Sequence, residues 1–169
     1  MSVAKIRESL DGLATLAGQV AAEQADAIAA IAERFEGTLR TGGTLFFAGN
    51  GGSAADAQHI ATEYVVRYQT NRPAMRAVAL TTDTSLLTAC ANDMGFDEVF
   101  ARQVEALAEP GDLLVLHSTS GESPNVVRAA QATSAFAGRA CSSSAATACR
   151  AWPASRHRCS TAAARWSAH

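Results

Sequence analysis

The sequence predicts an α/β protein, in which helices flank a parallel sheet and further helices precede it. Two observations lead to this class. Short apolar runs typical of buried strands alternate with segments whose apolar residues recur every three or four positions. Two of the runs, residues 44–48 and 113–116, lead into loops rich in glycine and hydroxyl side chains. Because such strands pair in parallel, both loops are expected at the carboxyl edge of the sheet, where α/β proteins bind ligands.

The first element is a helical region over residues 3–41. Apolar residues recur there at helical spacing in two sets. These are Val3, Ile6, Leu10, Leu13 and Leu16, then Ile28, Ile31, Phe35 and Leu39. We expect two helices, the second of which ends at Gly42 and Gly43.

The central part of the chain contains two predicted strands. The first covers residues 44–48 and leads through the tight loop 49–53 into a helix over residues 54–67. The sequence Arg72-Pro73 interrupts the chain, because the residue before a proline avoids the helical conformation. A second strand is then expected over residues 76–80.

Two helices and a third strand follow. Asp83 or Thr84 can cap a helix that extends through residue 91, and a further helix is expected over residues 96–108. A turn at residues 110–112 leads into the third strand. Ser123 is suited to the N-cap of the last helix and Pro124 to its first position, with a helical pattern from residue 126 to about 133.

Length and composition limit the number of domains and the classes of protein that the sequence can represent. A chain of 169 residues forms one domain, and a net charge of -2 gives no sign of a nucleic-acid-binding surface. The sequence contains neither an apolar run long enough to span a membrane nor a signal peptide, so we expect a cytoplasmic protein. Cys90 is the only cysteine of the well-patterned region, and neither a disulfide framework nor a metal-binding cysteine spacing is expected.

The C-terminal part of the sequence has a different composition. Leu, Ile, Val and Met do not occur after Val127, and Asp and Glu do not occur after Glu122. We therefore place the domain at residues 1–133 and an atypical, poorly ordered tail at residues 134–169, of which residues 136–144 make a poor strand. Out-of-frame translation of a GC-rich gene would produce such a tail, and the alternative is a genuine low-complexity segment.

The second loop is the most informative stretch of the sequence. Ser118, Thr119, Ser120 and Ser123 crowd the end of a buried strand, directly before a helix N-terminus. Hydroxyl groups, backbone N–H groups and the helix dipole together favour a phosphate monoester at this place. A capped turn without a ligand is the alternative.

The first loop offers backbone to a ligand. Asn50, Gly51, Gly52 and Ser53 follow the first strand, and glycines let the main chain approach a ligand closely. The loop also fits a loose dinucleotide-binding pattern, for which Asp83 would be the acidic residue. A sugar phosphate accounts for both loops, whereas a dinucleotide does not account for the second.

The helix that follows the first loop carries ionisable residues on one face. These are Asp56, His59, Glu63 and Arg67, at positions i, i+3, i+7 and i+11. A solvated face is one interpretation. The other is chemical, because His59 and Glu63 have the spacing of two ligands to one divalent metal, and a carboxylate can act as a general base.

Three further polar residues leave two interpretations open. Asn92 and Asp93 follow the helix that begins near Asp83, and they form either a C-terminal turn or a pair that contacts substrate hydroxyls. His117 ends the third strand and either faces the site or is simply buried beside the loop.

The four motifs together, in this order and spacing, resemble the sugar isomerase (SIS) domain family, and most closely its phosphoheptose isomerases, over residues 1–133. The motifs are residues 49–53, 59–63, 91–93 and 118–123. The resemblance implies a three-layer α/β/α sandwich, homotetramers with active sites between subunits, and conversion of sedoheptulose 7-phosphate to D-glycero-D-manno-heptose 7-phosphate, a precursor of lipopolysaccharide or other surface glycans.

The resemblance also implies roles for individual residues. Ser53, Ser118, Thr119, Ser120 and Ser123 would hold the phosphate and nearby hydroxyls, and Asn50, Gly51, Gly52, Asn92 and Asp93 would line the sugar. Glu63 would be the catalytic base, and His59 and Glu63 would be two of the zinc ligands. Arg67 would approach a phosphate across a subunit interface.

The sequence departs from the family in one respect. The family completes its zinc site and supplies the general acid with a Gln and a His on a late helix, and Gln131, His157 and His169 do not reproduce that pattern. We therefore expect an incomplete metal site and weak or no activity of this chain. The alternatives are a non-catalytic SIS-domain protein that binds a partner such as a replication initiator, and a sugar-phosphate-sensing regulatory domain.

Overall fold

The computed structural model describes residues 2–135 and the backbone of a short strand at residues 142–145. These described residues form ten elements in sequence order. These are α1 (Val3–Arg40), β1 (Leu45–Gly49), α2 (Gly52–Val65), β2 (Ala77–Ala79), α3 (Thr84–Asp93), a 3₁₀ turn (Phe96–Glu98), α4 (Ala101–Leu107), β3 (Leu113–His117), α5 (Pro124–Ala135) and β4 (Ser142–Ala145).

The four strands form one parallel sheet in the order β2-β1-β3-β4. Its two faces carry separate apolar layers. Leu45, Phe47 and Val115 pack toward α2 and the end of α1, whereas Phe46, Leu114 and Leu116 pack toward α4 and α5. The alternation follows from the two-residue period of a strand. The predicted α/β class with a parallel sheet between helical layers is therefore confirmed.

A buried carboxylate connects the segments that enter the sheet at its amino edge. Asp112 is 5% exposed, and its two oxygens accept hydrogen bonds from the backbone N–H of Thr44 and of Glu109, each at 2.7 Å. Arg76 donates to the Thr44 hydroxyl at 3.0 Å. These contacts align the starts of β1, β2 and β3, and so determine where their carboxyl ends lie.

The N-terminal region is one helix rather than the two that the sequence predicts. Ser2 caps α1 by accepting from the Lys5 N–H at 3.3 Å, and α1 continues to Arg40. No proline or glycine pair interrupts residues 3–40, so the helical hydrogen-bond ladder is unbroken. The helix packs on the sheet through Phe35 and Leu39, whereas apolar residues of its first half, such as Leu10 and Leu13, are exposed.

The predicted helix over residues 96–108 is wrong as a single element. A 3₁₀ turn covers its first part, and α4 begins only at Ala101. Val99 and Phe100 lie at the junction and are both buried in the core, at 0% and 3% exposure. Both residues keep helical backbone angles, so the break lies in the hydrogen-bond pattern, which changes there from the three-residue spacing of a 3₁₀ turn to the four-residue spacing of an α-helix.

Two observations concern the ends of the described region. The backbone of Ser142–Ala145 pairs in parallel with β3, so the expectation of a poor strand in residues 136–144 is wrong for Ser142–Ser144. Pairing of main-chain groups with β3 does not require apolar side chains. The rest of the predicted tail, residues 136–141 and 146–169, lies outside the described residues.

Among the described helices, none combines the length and apolar character needed to cross a bilayer.

Candidate functional site

The two predicted loops meet at the carboxyl edge of the sheet. They do so because β1 and β3 are neighbours whose register pairs Gly49 with His117, the last residue of each strand. The approach is close: a Cβ on Gly49 would lie 2.8 Å from the His117 carbonyl oxygen and 2.8 Å from the Ser53 Cβ. Only glycine fits at this position without a shift of the main chain.

The first loop turns directly into α2. Gly51 has φ +56° and ψ -120°, a conformation that favours glycine, and its carbonyl accepts from the N–H of Ala54 and of Ala55. Gly52 begins the helix and Ser53 is partly buried beside Gly49. The structure thus places Asn50, Gly51, Gly52 and Ser53 at the expected edge, where backbone N–H groups of the first helical turn are available to an anion.

The second loop is shaped by its own hydroxyl groups. The Ser118 hydroxyl accepts from the Gly121 N–H at 3.0 Å, and the Ser120 hydroxyl accepts from the Glu122 N–H at 3.2 Å. Gly121 has φ +69°, which a residue with a side chain rarely adopts. These bonds curl residues 118–122 into a compact turn around backbone N–H groups. Thr119 is exposed at its tip.

The second loop ends at the N-terminus of α5, as predicted. Pro124 is the first residue of the helix, and the Ser123 carbonyl accepts from the N–H of Val126 and of Val127, each at 3.0 Å. Both loops therefore end in a helix N-terminus, and both helix dipoles favour negative charge at this edge.

An amide pair joins the two loops, and the sequence analysis did not identify it. Asn50 donates to the Asn125 side-chain oxygen at 2.8 Å, and Asn125 donates back to the Asn50 oxygen at 2.8 Å. Asn125 is only 1% exposed. The signal in the sequence was a polar residue in the first turn of a helix, directly after the predicted cap and proline.

His117 is the last residue of β3 and lies opposite Gly49. Its ring meets Phe47 edge-on, with centroids 6.1 Å apart, and is half-buried. Burial lowers the pKa of the imidazole, and the Asp56 carboxylate partly opposes that change. The contact with Phe47 favours the buried interpretation of this residue.

Asp56, His59 and Glu63 lie on α2, but the prediction of a helix over residues 54–67 with Arg67 on the same face is wrong, because α2 ends at Val65 and Arg67 follows its C-cap, Val66. His59 and Glu63 lie one turn apart, with His59 Nε2 3.2 Å from Glu63 Oε1, and their side chains are 75% and 34% exposed. Arg67 donates to the Asn71 side chain at 2.7 Å. The face is open to solvent in one copy of the chain, so the two interpretations of this stripe both remain compatible with the geometry.

Arg72 fixes the end of α2 and was not identified as functional from the sequence. Its guanidinium donates to three main-chain carbonyls, those of Glu63 at 2.5 Å, Tyr64 at 2.8 Å and Pro73 at 3.0 Å. Terminal carbonyls of a helix lack intrahelical partners, and a cation there also complements the dipole. Arg72 thereby holds the turn that carries Glu63.

Glu63 does not reach the loops along its own helix. Gly52 begins α2 at the carboxyl edge, and Glu63 follows eleven residues later, a helical rise of about 16 Å. The Tyr64 carbonyl accepts from the Met75 N–H, and the Arg76 carbonyl accepts from the N–H of Leu45, the first residue of β1. Glu63 therefore lies toward the amino edge of the sheet, whereas the second loop of the same chain lies at the carboxyl edge.

The donors among the described residues of one chain do not complete a catalytic metal site. A catalytic zinc ion takes three protein ligands and a water molecule. Within residues 2–135, no group of three or more His, Cys, Asp or Glu side chains converges, and His59 and Glu63 make only two. These two ligands are suitable in type and spacing, but alone they do not fit a zinc centre.

Asn92 and Asp93 form the last turn of α3, ahead of the C-cap Met94. Both are exposed, and the Asn92 amide donates to the Asp93 carboxylate at 2.7 Å. Their position at the helix end agrees with the turn interpretation. Their contact with a substrate remains a prediction.

A parallel sheet with two helix-terminal loops at its carboxyl edge defines the class of α/β domains that bind ligands at that edge. Residues 10–137 match the family model described as SIS domain. A phosphoheptose isomerase of Chlorobaculum parvum is 58% identical over 120 residues, which are 70% of this chain and 57% of that protein.

Solved structures give the same result. The structure of phosphoheptose isomerase from Neisseria gonorrhoeae is 41% identical, with a TM-score of 0.70 over 84% of this chain and 70% of that one. A phosphoheptose isomerase structure from Francisella tularensis is 31% identical, with a TM-score of 0.79 over 86% and 74%. The chain belongs to the SIS domain family and, within it, to the phosphoheptose isomerase family, which confirms the resemblance. It spans between about half and two thirds of the curated relatives that it matches.

Proposed function

We propose that the protein is a phosphoheptose isomerase, a ketose–aldose isomerase that converts sedoheptulose 7-phosphate to D-glycero-D-manno-heptose 7-phosphate through an enediol. The observation that carries this proposal is the meeting of the two loops at the carboxyl edge, where hydroxyl groups and the N-termini of α2 and α5 converge. Family membership supports the choice of reaction.

The phosphate would bind in the second loop. We assign its ligands to Ser53, Ser118, Thr119, Ser120 and Ser123. In the structure the Ser118 and Ser120 hydroxyls lie in the turn at residues 118–122, where they accept from the Gly121 and Glu122 N–H groups, and the turn leads directly into the start of α5. Neutral donors and a helix dipole suffice to hold a phosphate monoester. Such a grip on a remote part of the substrate orients its reacting carbons.

The sugar would lie along the first loop. We assign Asn50, Gly51, Gly52, Asn92 and Asp93 to its hydroxyl groups. Glu63 would act as the base, removing a proton from C1 of the ketose to form the enediol and returning a proton to C2. His59, 3.2 Å from the Glu63 carboxylate, would orient it.

Glu63 would serve a site that a second copy of the chain completes. This follows from the placement of Glu63 in the last turn of α2 and of the second loop at the carboxyl edge, where α2 begins. A homotetramer with sites between subunits is thus part of the proposal, and Arg67 would approach the phosphate across such an interface. The proposal also includes a cytoplasmic location and a role in supplying heptose for surface glycans.

Zinc enters the proposal only through its ligands. His59 and Glu63 would be two of them, and the remaining donors are not among the described residues of one chain. No step of the mechanism above depends on the metal. Without those donors we expect turnover below that of a complete family member.

Solvent proton exchange tests the proposal. Incubation with sedoheptulose 7-phosphate in D₂O should introduce deuterium at C1, which NMR detects even when net conversion is slow. Glu63→Gln should slow the exchange by at least about a hundredfold, as expected for loss of a general base. Glu36→Gln removes an exposed carboxylate of α1 and should have no effect. Absence of exchange with the unmodified chain would contradict the proposal.

Subunit mixing tests where the site lies. Glu63→Gln and the double variant Ser118→Ala/Ser120→Ala should each be inactive. Co-refolded mixtures should regain part of the exchange rate, because hybrid sites combine an intact carboxylate from one copy with intact hydroxyls from another. No recovery in the mixture would place both groups in one chain.

A further inference from the structure

Asn125 is the most deeply buried polar side chain at the candidate site, and its partner is a residue of the other loop. We propose that Asn125 is a positioning residue: it holds the Asn50 amide and thereby fixes the spacing between the first and the second loop. The effect on a ligand rests on the proposed function, whereas the effect on the loops does not.

The pair is reciprocal. Each amide donates one N–H and accepts at its oxygen, both bonds are 2.8 Å long, and the two residues are 75 positions apart in the sequence. Because an amide offers two N–H groups and two lone pairs, each side chain retains further capacity. Asn125 is 1% exposed, but Asn50 lies partly open at the edge, so the remaining capacity of Asn50 is directed to a ligand.

The pair is positioned to affect the conformation of both loops. Asn50 is the first residue after β1, directly before Gly51, and Asn125 is the second residue of α5, two positions after Ser123. The strands set the register below this edge through Gly49 and His117. The amide pair is a side-chain contact beyond that edge. It joins the first loop to the start of α5, which follows the second loop.

The neutral character of the pair suits a site for a dianion. A carboxylate at residue 125 could accept from Asn50 but could not donate to it, and it would bring negative charge to the start of α5. A protonated carboxylic acid could do both, as the native amide does. An Asn125→Asp variant therefore converts the contact into one that depends on pH.

The first experiment is a double-variant cycle on ligand affinity. Asn50→Ala, Asn125→Ala and the double variant are titrated with sedoheptulose 7-phosphate by calorimetry. Loss of one buried hydrogen-bond partner predicts about tenfold weaker binding for each single variant. If Asn125 acts through Asn50, the double variant binds no more weakly than the weaker single variant. Multiplying losses would overturn the proposal.

The second experiment needs no ligand. Hydrogen exchange of the amides at residues 51–53 and 118–123 should accelerate at least severalfold in Asn125→Ala and in Asn50→Ala. Gln103→Ala is the matched control: Gln103 is a buried amide that donates to the Leu80 and Val99 carbonyls, and neither of these residues belongs to either loop. It should leave loop exchange unchanged. Unaltered loop exchange in Asn125→Ala would overturn the proposal.

The Asn125→Asp variant separates positioning from a general loss of stability. Relative to the native chain at the same pH, its loop protection and its affinity should recover as the pH falls and the carboxyl group gains a proton. A deficit that is constant with pH would contradict the proposed role. If the native chain fails to bind sedoheptulose 7-phosphate, the proposed function fails, and loop exchange still decides the role of Asn125.

Discussion

Gly49 of β1 lies directly opposite His117 of β3, so closely that the His117 carbonyl oxygen would be 2.8 Å from a Cβ at residue 49. This contact brings together two loops that begin 68 residues apart, at Asn50 and Ser118. The candidate site therefore depends on a backbone approach that only a glycine allows. Several measurable consequences follow from such contacts at the two edges of the sheet.

Gly49→Ala should destabilise the protein by about 2 kcal/mol or more, since the added methyl group meets backbone atoms that cannot move independently of the sheet. Urea denaturation followed by circular dichroism measures the change. Gly37→Ala is the control, because a Cβ there meets nothing within 4 Å and lies inside α1, where alanine is favoured by about 1 kcal/mol. Equal stability of the two variants would contradict the structure.

Asp112→Ala should destabilise the fold by about 3 kcal/mol, because two buried N–H groups, those of Thr44 and Glu109, would lose a charged acceptor. Glu105→Gln alters a carboxylate in an exposed ion pair with Arg102 and should cost about 0.5 kcal/mol or less. The two free energies of unfolding, measured at pH 7, test this contrast. A small loss for Asp112→Ala would mean that Asp112 does not join the strands.

His117 should make stability depend on pH. Burial lowers the pKa of its imidazole in the folded state below the usual 6.5. As the pH falls through 6.5, the unfolded chain takes up a proton that the folded chain resists, so stability falls between 6.5 and the lower folded pKa. The contribution is complete above 6.5. Asp56 is the charged group that opposes this shift.

The comparison of the native chain with His117→Leu isolates this contribution. Unfolding free energies at pH 7.5 and pH 5 should differ more in the native chain than in the variant. The two proteins differ in no other residue, so the difference between them reports residue 117 alone. An identical pH dependence in the two proteins would show that His117 titrates as it does in the unfolded chain.

Arg72→Ala should loosen the end of α2, because the Glu63 carbonyl loses its hydrogen bond from the guanidinium and the Tyr64 carbonyl keeps only that from the Met75 N–H. We expect a loss of about 1–2 kcal/mol and faster hydrogen exchange in the last turn of the helix. Arg67→Ala removes only an exposed contact with Asn71 and should change neither. Similar exchange in both variants would exclude Arg72 as the cap.

The sequence was sufficient for elements whose signal is local. Apolar runs such as residues 113–116, together with turn residues such as Pro124, located the strands, both loops and the start of α5. The break at Val99 and Phe100 was missed, because a change from three-residue to four-residue hydrogen-bond spacing leaves no mark on the apolar pattern. The single helix α1 was missed because a gap in its apolar pattern does not require a gap in its hydrogen bonds.

The site was predicted in composition but not in arrangement. Helical periodicity placed His59 and Glu63 on one face, since that spacing is local. The Asn50–Asn125 pair requires the strand register, which brings together residues distant in sequence. The separation of Glu63 from the hydroxyl loop likewise depends on where α2 runs relative to the sheet.

The most direct test of the account is a titration of the ¹⁵N-labelled 169-residue chain with sedoheptulose 7-phosphate, followed by amide chemical shifts. We predict saturable shifts concentrated at residues 50–53 and 118–123, and their reversal by excess inorganic phosphate. Saturable shifts confined to another surface, such as the groove between α3 and α4 lined by Cys90 and Gln103, would contradict it, as would the absence of binding.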